Sequence, residues 1–469
     1  MNDLFEIIKI APSLFIITFL IFTIRRPVII LFRLLDLLQL LINTKSCGRL
    51  VVKNTKQKRN KKNTEEWSVL NDWRHRVQKT PNQPFLQLVQ DEQTETERYE
   101  MRTKSEASSI LHPEKLTFLE TDILSDKLAS IFYKLLLPPP SQSYTTERQE
   151  RKSPPVVAIL LSSSPFFVAC YLGLVKAGAS AGLININLRG KALAHAIRIS
   201  LEATSSECEY NLNRILVVEE GILLGRISDV DVRQVLSELN VKVVIKRIQS
   251  LSGQKNTEMQ EYDSNTSPYE SLDRLLLHTR TQPNTWDPSQ THHTPTWNST
   301  FFYVFTSGTT GGFAKASIIK HIRFRISGSL FSITAHLSPK DKVYCALPLY
   351  HSAAGMIGIS GCISSGACMV IRPKFSASLF AHDLVRYQCT VVQYIGEFAR
   401  YTLASKESSS DEILRRKREY RKWSLFSWMY DTKWNGVRVA FGNGMRPEVW
   451  KSFQNRFGIG DIIEFCKWI

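Results

Sequence analysis

No two of the eight cysteines stand in a CxxC pair, and most of them sit in apolar surroundings such as Val168-Ala169-Cys170-Tyr171. That excludes a zinc-ribbon or disulfide-scaffold protein and points to buried, reduced thiols in a cytosolic compartment. An RNP pattern and a Cys/His finger spacing are both missing, so no nucleic acid is expected as a partner. The GxxxxGK[ST] pattern is missing too: five residues after Gly308 stands Phe313, which disfavours a P-loop kinase or GTPase. There is no internal repeat. Acidic residues are in short supply, 43 against 60 lysines and arginines, leaving a formal net charge of +17. Such a balance favours anionic partners: acidic lipid headgroups or polyphosphate substrates.

What is present is ordinary globular material, 43% hydrophobic and 22% charged, in a chain of 469 residues that is too long for one ordinary domain. Residues 10–24 carry no charge and are closed by Arg25-Arg26; a run of fifteen is short of the ~20 that span a hydrocarbon core. Glu6 and Lys9 extend it by snorkelling, and the acidic n-region with no cleavage site argues against a signal peptide. Residues 27–42, broken by Arg33 and Asp36, read as an interfacial amphipathic helix. The expected organisation is a membrane anchor with its interfacial helix over 1–44, then a basic linker over 45–66. The linker holds the body on the cytosolic side, against acidic membrane lipids.

From residue 67 the pattern is α/β. Residues 154–161 read as a buried strand, 165–177 as a helix with Pro165 in its first turn, and 178–185 as the returning strand of a βαβ unit. Residues 215–218 and 241–245 read as further strands. The stretches 138–152 and 249–299 read as polar loops, the second a long exposed connection rich in turn signals.

The apolar strand 301–305 runs into Thr306-Ser307-Gly308-Thr309-Thr310-Gly311-Gly312-Phe313-Ala314-Lys315. Glycines let backbone N–H groups approach oxyanions, hydroxyls donate further hydrogen bonds, and one lysine supplies charge, which together make a phosphate cradle. His351, after the strand-like 345–349, is open to two readings, a core histidine or a site residue. Gly442-Asn443-Gly444 reads as a turn on residue type alone. Residues 356–370, with Gly358, Gly361 and Gly366, read either as core helix packing or as the wall of an acyl tunnel.

The cradle resembles the signature of the acyl-adenylate-forming superfamily, in which Leu-Pro replaces Gly312-Phe313. Lys315 falls in register once one extra residue is allowed. Further stretches at 171–178, 183–190, 347–355, 391–397, 442–450 and 456–458 resemble the fatty acid transport protein/very-long-chain acyl-CoA synthetase family. The resemblance implies an AMP-binding, adenylate-forming N-terminal domain of layered βαβ sheets over 67–469. It implies fatty acid–CoA ligase activity on long-chain or very-long-chain fatty acids, with ATP and Mg2+ used and CoA as co-substrate, linked to fatty acid uptake. It places Thr306, Ser307, Gly308, Thr309, Thr310, Gly311 and Lys315 on the ATP phosphates. Gly442, Asn443 and Gly444 fall at the adenine wall and His351 at the acyl pocket, with Lys315 and His351 the catalytic candidates. No metal ligand is assigned. After Glu464-Phe465 the family pattern gives way to Cys466-Lys467-Trp468-Ile469. The expectation is therefore of a domain incomplete at its C-terminal end, without the lid. Its alternative function is that of a membrane protein that binds or retains fatty acids without turning them over. Resemblance places the body at the endoplasmic reticulum or plasma membrane.

Overall fold

A computed structural model describes residues 68–90, 113–137, 153–202, 212–223, 225–226, 229–247, 269–279, 291–306, 314–423 and 434–465. The expected anchor, interfacial helix and basic linker lie outside the described residues, as do the loop 138–152 and the last four residues. Among the described residues no helix is long and apolar enough to cross a membrane.

In chain order the first half runs α1 (Val69–Lys79), β1 (Pro84–Leu88), β2 (Lys115–Thr117), α2 (Phe118–Leu136), β3 (Val156–Leu160), α3 (Pro165–Lys176) and β4 (Ser180–Leu183). It continues with α4 (Gly190–Glu202), β5 (Arg214–Glu219), α5 (Val230–Glu238), β6 (Val241–Lys246), β7 (Glu270–Ser271), α6 (Leu272–His278), β8 (Thr300–Thr306) and β9 (Lys315–Lys320). The second half runs α7 (His321–Thr334), β10 (Lys342–Cys345), a π-helical turn (Ser352–Gly358), α8 (Ile359–Ser365), β11 (Cys368–Ile371), α9 (Phe380–Arg386) and β12 (Val391–Ile395). Then come α10 (Gly396–Ala404), α11 (Ser409–Trp423), β13 (Val439–Asn443), α12 (Pro447–Arg456) and β14 (Asp461–Glu464).

The strands form two seven-stranded sheets, ordered β14-β13-β12-β10-β11-β1-β2 and β7-β6-β5-β3-β4-β8-β9. Each is parallel except for one antiparallel pair at an edge, β1 with β2 and β8 with β9. Successive residues of a strand face opposite sides of its sheet, and the burial follows that period. Val157 and Ile159 enter the core shared by both sheets, while Ala158 and Leu160 enter the core under α4 and α5. Likewise Val343 and Cys345 face the shared core, and Tyr344 and Ala346 face the layer of α9, α10 and α12. The shared core also takes α3, every residue of which is buried. A helix apolar on every face up to Lys176 belongs between two sheets, and the buried Lys176 ammonium is met by Asp122 and Asp126 at 2.6 Å. Ser164 caps it by accepting from the Phe167 N–H, and Pro165 occupies the first turn, where no donor is missed.

The βαβ unit is as expected: β3 and β4 pair in parallel through α3, with Ile159 opposite Leu183. The reading of 249–299 as one long exposed connection is corrected. Glu270 pairs with Val244, so β7 extends the sheet, and α6 follows with Leu272 and Leu276 buried. Leucines at 272 and 276 give the short helix one apolar face, and Ser271 caps it. Asp273 on α6 accepts a 2.6 Å bond from the buried Lys246 ammonium, a link that burial of either group alone would make costly.

Residues 359–365 of the 356–370 stretch form α8, which packs closely against α7. A Cβ on Gly361 would strike the Phe331 ring, and one on Gly328 would strike the Ser360 backbone. These glycines let α7 and α8 cross in close contact. The described cysteines, Cys170, Cys345, Cys362, Cys368 and Cys389, are all free and buried. Burial pushes the Cys345 and Cys368 thiols up to about 12, so both are inert.

Candidate functional site

In open parallel sheets, ligands gather beyond the carboxyl ends of the strands. Here the carboxyl edges of the two sheets meet. The loop after β10 reaches the other sheet where the Leu349 N–H donates to Ser163 Oγ at 2.9 Å, just past β3. Asn187, past β4, donates from Nδ2 to Tyr350 Oη at 3.2 Å. Asn187 is itself set by a local turn, its N–H donating to Asn185 Oδ1 at 2.8 Å. The Asn185-Ile186-Asn187 spacing lies in the stretch 183–190 that resembles the fatty acid transport protein family, though residue type alone gave it no site role.

β8 lies beside β4, with Val304 opposite Leu183, so its carboxyl end at Thr306 emerges on the same edge. Thr306 is the register partner of Lys315, the first residue of β9. The cradle segment therefore begins and ends on a closed antiparallel rung, and Lys315 is an exposed strand residue at that rung. Ser307, Gly308, Thr309, Thr310 and Gly311 lie outside the described residues.

His351 follows on the same edge. Its side chain is exposed, its ring lies 4.9 Å from that of Tyr350, and its carbonyl accepts from the Gly355 N–H at 2.9 Å to open the π-helical turn. Crowding by the surrounding protein desolvates the imidazole and lowers its pKa, favouring the neutral form. Such π-turns recur at functional sites. Beneath the turn, Gln393 donates from Nε2 to the Ala353 carbonyl at 2.5 Å, while its buried Oε1 has no partner.

Gly442, Asn443 and Gly444 stand at the end of β13. Gly442 is buried against Tyr394, where a Cβ would lie 2.8 Å from two ring carbons and closer still to the carbonyl oxygen. Gly444 has φ +75°, a conformation that side chains with a Cβ rarely adopt, and its carbonyl closes on Gly396 at the start of α10. Glu464, at the end of β14, accepts from the Met445 N–H at 2.6 Å and from Tyr394 Oη at 3.2 Å. The strand ends of β12, β13 and β14 are thus tied together, leaving Gly444 exposed and Asn443 half-buried.

Thr306, Lys315, His351 and the 442–444 turn accordingly share one edge of the molecule. Among the described residues no group of three His, Cys, Asp or Glu could hold a metal ion, and the Glu464 carboxylate is already engaged.

Two largely parallel sheets with a hydroxyl- and glycine-rich segment between β8 and β9 are the arrangement of the adenylate-forming fold. The AMP-binding enzyme family matches residues 148–465, and the chain belongs to that family. It is 34% identical over 301 residues to human long-chain fatty acid transport protein 1, covering 64% of this chain and 38% of that protein. It is 37% identical over 297 residues to human long-chain fatty acid transport protein 6, covering 63% of this chain and 38% of that one. The match thus spans well under half the length of these curated relatives. Among solved structures, an anthranilate CoA ligase in complex with anthranoyl-AMP has a TM-score of 0.58 at 17% identity, covering 86% of this chain and 61% of that chain. A luciferase-like enzyme of the nonluminescent mealworm Zophobas morio has a TM-score of 0.54 at 14% identity, covering 87% and 73%. These two likenesses bear on the fold.

Proposed function

We propose that this chain carries the nucleotide- and acyl-binding part of a fatty acid–CoA ligase, with long-chain or very-long-chain fatty acid, ATP and CoA as substrates. The observation that carries the reading is the Thr306–Lys315 rung on the edge that also bears His351 and Gly444. The reaction has two steps. A fatty acid carboxylate oxygen attacks the α-phosphorus of ATP, the bond to the β-phosphate breaks, and pyrophosphate leaves. The CoA thiolate then attacks the acyl carbon, and AMP leaves with the electron pair of the broken C–O bond.

In this reading Thr306, Ser307, Gly308, Thr309, Thr310 and Gly311 cradle the phosphates with N–H and hydroxyl donors, and Lys315 neutralises charge on the departing pyrophosphate. Gly442, Asn443 and Gly444 wall the adenine. His351, kept neutral, stands where the acyl chain meets the nucleotide. Residues 1–44 anchor the protein and 45–66 link it to a body on the cytosolic face of the endoplasmic reticulum or plasma membrane. The names of the fatty acid transport proteins support the substrate class and a role in uptake.

The test is ATP binding by equilibrium dialysis for Lys315→Ala. Loss of one charged hydrogen bond to phosphate should weaken binding by about 1.5–3 kcal/mol. Lys315 is exposed, so the melting temperature should hold. Unchanged ATP affinity would refute the cradle. Palmitate retention without ATP-dependent release of AMP would favour the fatty-acid-retaining alternative.

A further inference from the structure

α7 is apolar on two opposite faces, and the core accounts for only one of them. Inward, His321, Phe324, Gly328 and Phe331 are buried against α8 and the shared core. Diametrically opposite, Ile322, Ile326, Leu330 and Ile333 recur at helical spacing, Ile326 and Leu330 exposed and Ile322 and Ile333 half-buried. Ile326 is 51% exposed and Leu330 38%. A soluble helix of this length ordinarily turns polar residues outward on that face.

The flanks of the stripe are cationic. Arg323 lies along one side and Arg325 along the other, and the exposed Lys320 stands at the amino end. Asp72 on α1 pairs with Arg325 at 3.3 Å. The Ile322 N–H donates to the Trp297 carbonyl at 2.9 Å, so a tryptophan-bearing loop adjoins the head of the stripe.

We propose that this outward face of α7 docks on an anionic lipid bilayer, the four aliphatic side chains entering the headgroup–acyl boundary and Lys320, Arg323 and Arg325 meeting acidic headgroups. An apolar stripe edged by basic residues is the pattern of interfacial helices. A second copy of the chain fits less well. Four side chains fall short of the ~800 Å2 per partner of a stable interface, and a two-fold contact would set the same cations against each other. The docking concerns α7 alone and is independent of residues 1–66 and of the ligase reading.

The full chain would be reconstituted into phosphatidylcholine vesicles with and without phosphatidylserine. A lipid carrying a diazirine in its acyl chain would be photolysed, and the labelled peptides mapped. Labelling of the 318–335 peptide is expected, stronger with phosphatidylserine. It should fall at least about threefold in Ile326→Ser/Leu330→Ser and in Arg323→Gln/Arg325→Gln. All four side chains are at least partly exposed, so both variants should keep the parent melting temperature. Equal labelling in parent and variants, or labelling confined to other peptides, overturns the proposal. So does masking of the peptide by a protein dimer that persists without lipid, which would assign the face to a second copy.

Discussion

The two edges of the sheet that carries β10, β12 and β13 are built on different principles. At the amino edge a single buried carboxylate gathers the strands. Asp341, just ahead of β10, accepts from Arg438 Nε at 2.8 Å, from Thr390 Oγ1 at 2.7 Å, and from the Ser338 N–H at 2.8 Å. Arg438 stands ahead of β13 and Thr390 ahead of β12, and Thr390 Oγ1 also accepts from the Lys342 N–H of β10. Burial alone would raise the Asp341 pKa, but Arg438, Thr390 and Ser338 outweigh it and hold the carboxyl below its ordinary value. At the carboxyl edge the strands end in close glycine contacts, exposed backbone and one exposed histidine. One edge fixes strand spacing with a satisfied ionic network; the other leaves polar groups facing solvent, where a ligand can meet them.

Breaking the amino edge should have the largest effect on stability. Asp341→Ala leaves Arg438 and Thr390 without their shared acceptor. Removing one partner of a buried pair costs about 3–5 kcal/mol, and the partial exposure of Arg438 discounts this to about 2–4 kcal/mol. Chemical denaturation would read the loss directly. The contrast between the edges predicts that ATP affinity of the folded protein stays within about twofold, since no ligand-facing group is touched. A large loss of affinity with little loss of stability would reverse the roles assigned here.

The next effect lies at the other edge. Gly442→Ala would drive a Cβ into the Tyr394 carbonyl and ring, and backbone in mid-sheet cannot move aside cheaply. Overpacking of this kind costs about 1–3 kcal/mol. Unlike Asp341→Ala, it should also weaken ATP binding, because β13 and the 443–444 turn must shift together. Stability and nucleotide affinity measured on the same preparation would separate the two edges: one variant moves stability alone, the other moves both.

The edges also differ in how far the sequence reveals them. The motifs of the carboxyl edge are contiguous, so Thr306 to Lys315, Tyr350-His351 and Gly442 to Gly444 could be picked out by residue type and resemblance. The buried strands were legible for a similar reason, since 156–160 and 301–305 are unbroken apolar runs. The amino edge was not legible. Asp341, Thr390 and Arg438 are 48 to 97 residues apart, and nothing local marks one as the partner of another. The same holds for β1, whose place beside β11 joins Leu86 to Met369 across most of the chain. Helix α6 was hidden by its setting: seven residues with two buried leucines are too few to stand out in a polar stretch of about fifty.

The smallest expected effect sharpens the comparison by locating a third fastening, away from both edges. His321, at the head of α7, is almost fully buried, and its Nδ1 accepts from the Val69 N–H at 3.2 Å, tying α1 to the body. Burial, with a lesser contribution from His293, pushes its pKa down to about 3, so the folded protein holds the ring neutral. In the unfolded chain the ring titrates near its ordinary 6.5. Between those values the unfolded state binds the extra proton, so stability rises with pH there. The contribution is fully present above about 6.5 and is lost progressively as pH falls towards 3. Asp341 behaves differently: its folded pKa lies below 3.8, so its contribution persists until the pH falls through that range. Mild acid therefore separates the histidine contributions, His321 and His351, from that of Asp341. From pH 7.5 to 5.5 the His321 term should cost about 1 kcal/mol. His321→Asn keeps an acceptor near the Val69 N–H but does not titrate. It should flatten the stability profile over that interval by about the same amount, while Asp341→Ala should leave the slope unchanged. Identical slopes for the parent and His321→Asn in urea denaturation would show that the ring is not held neutral by the fold.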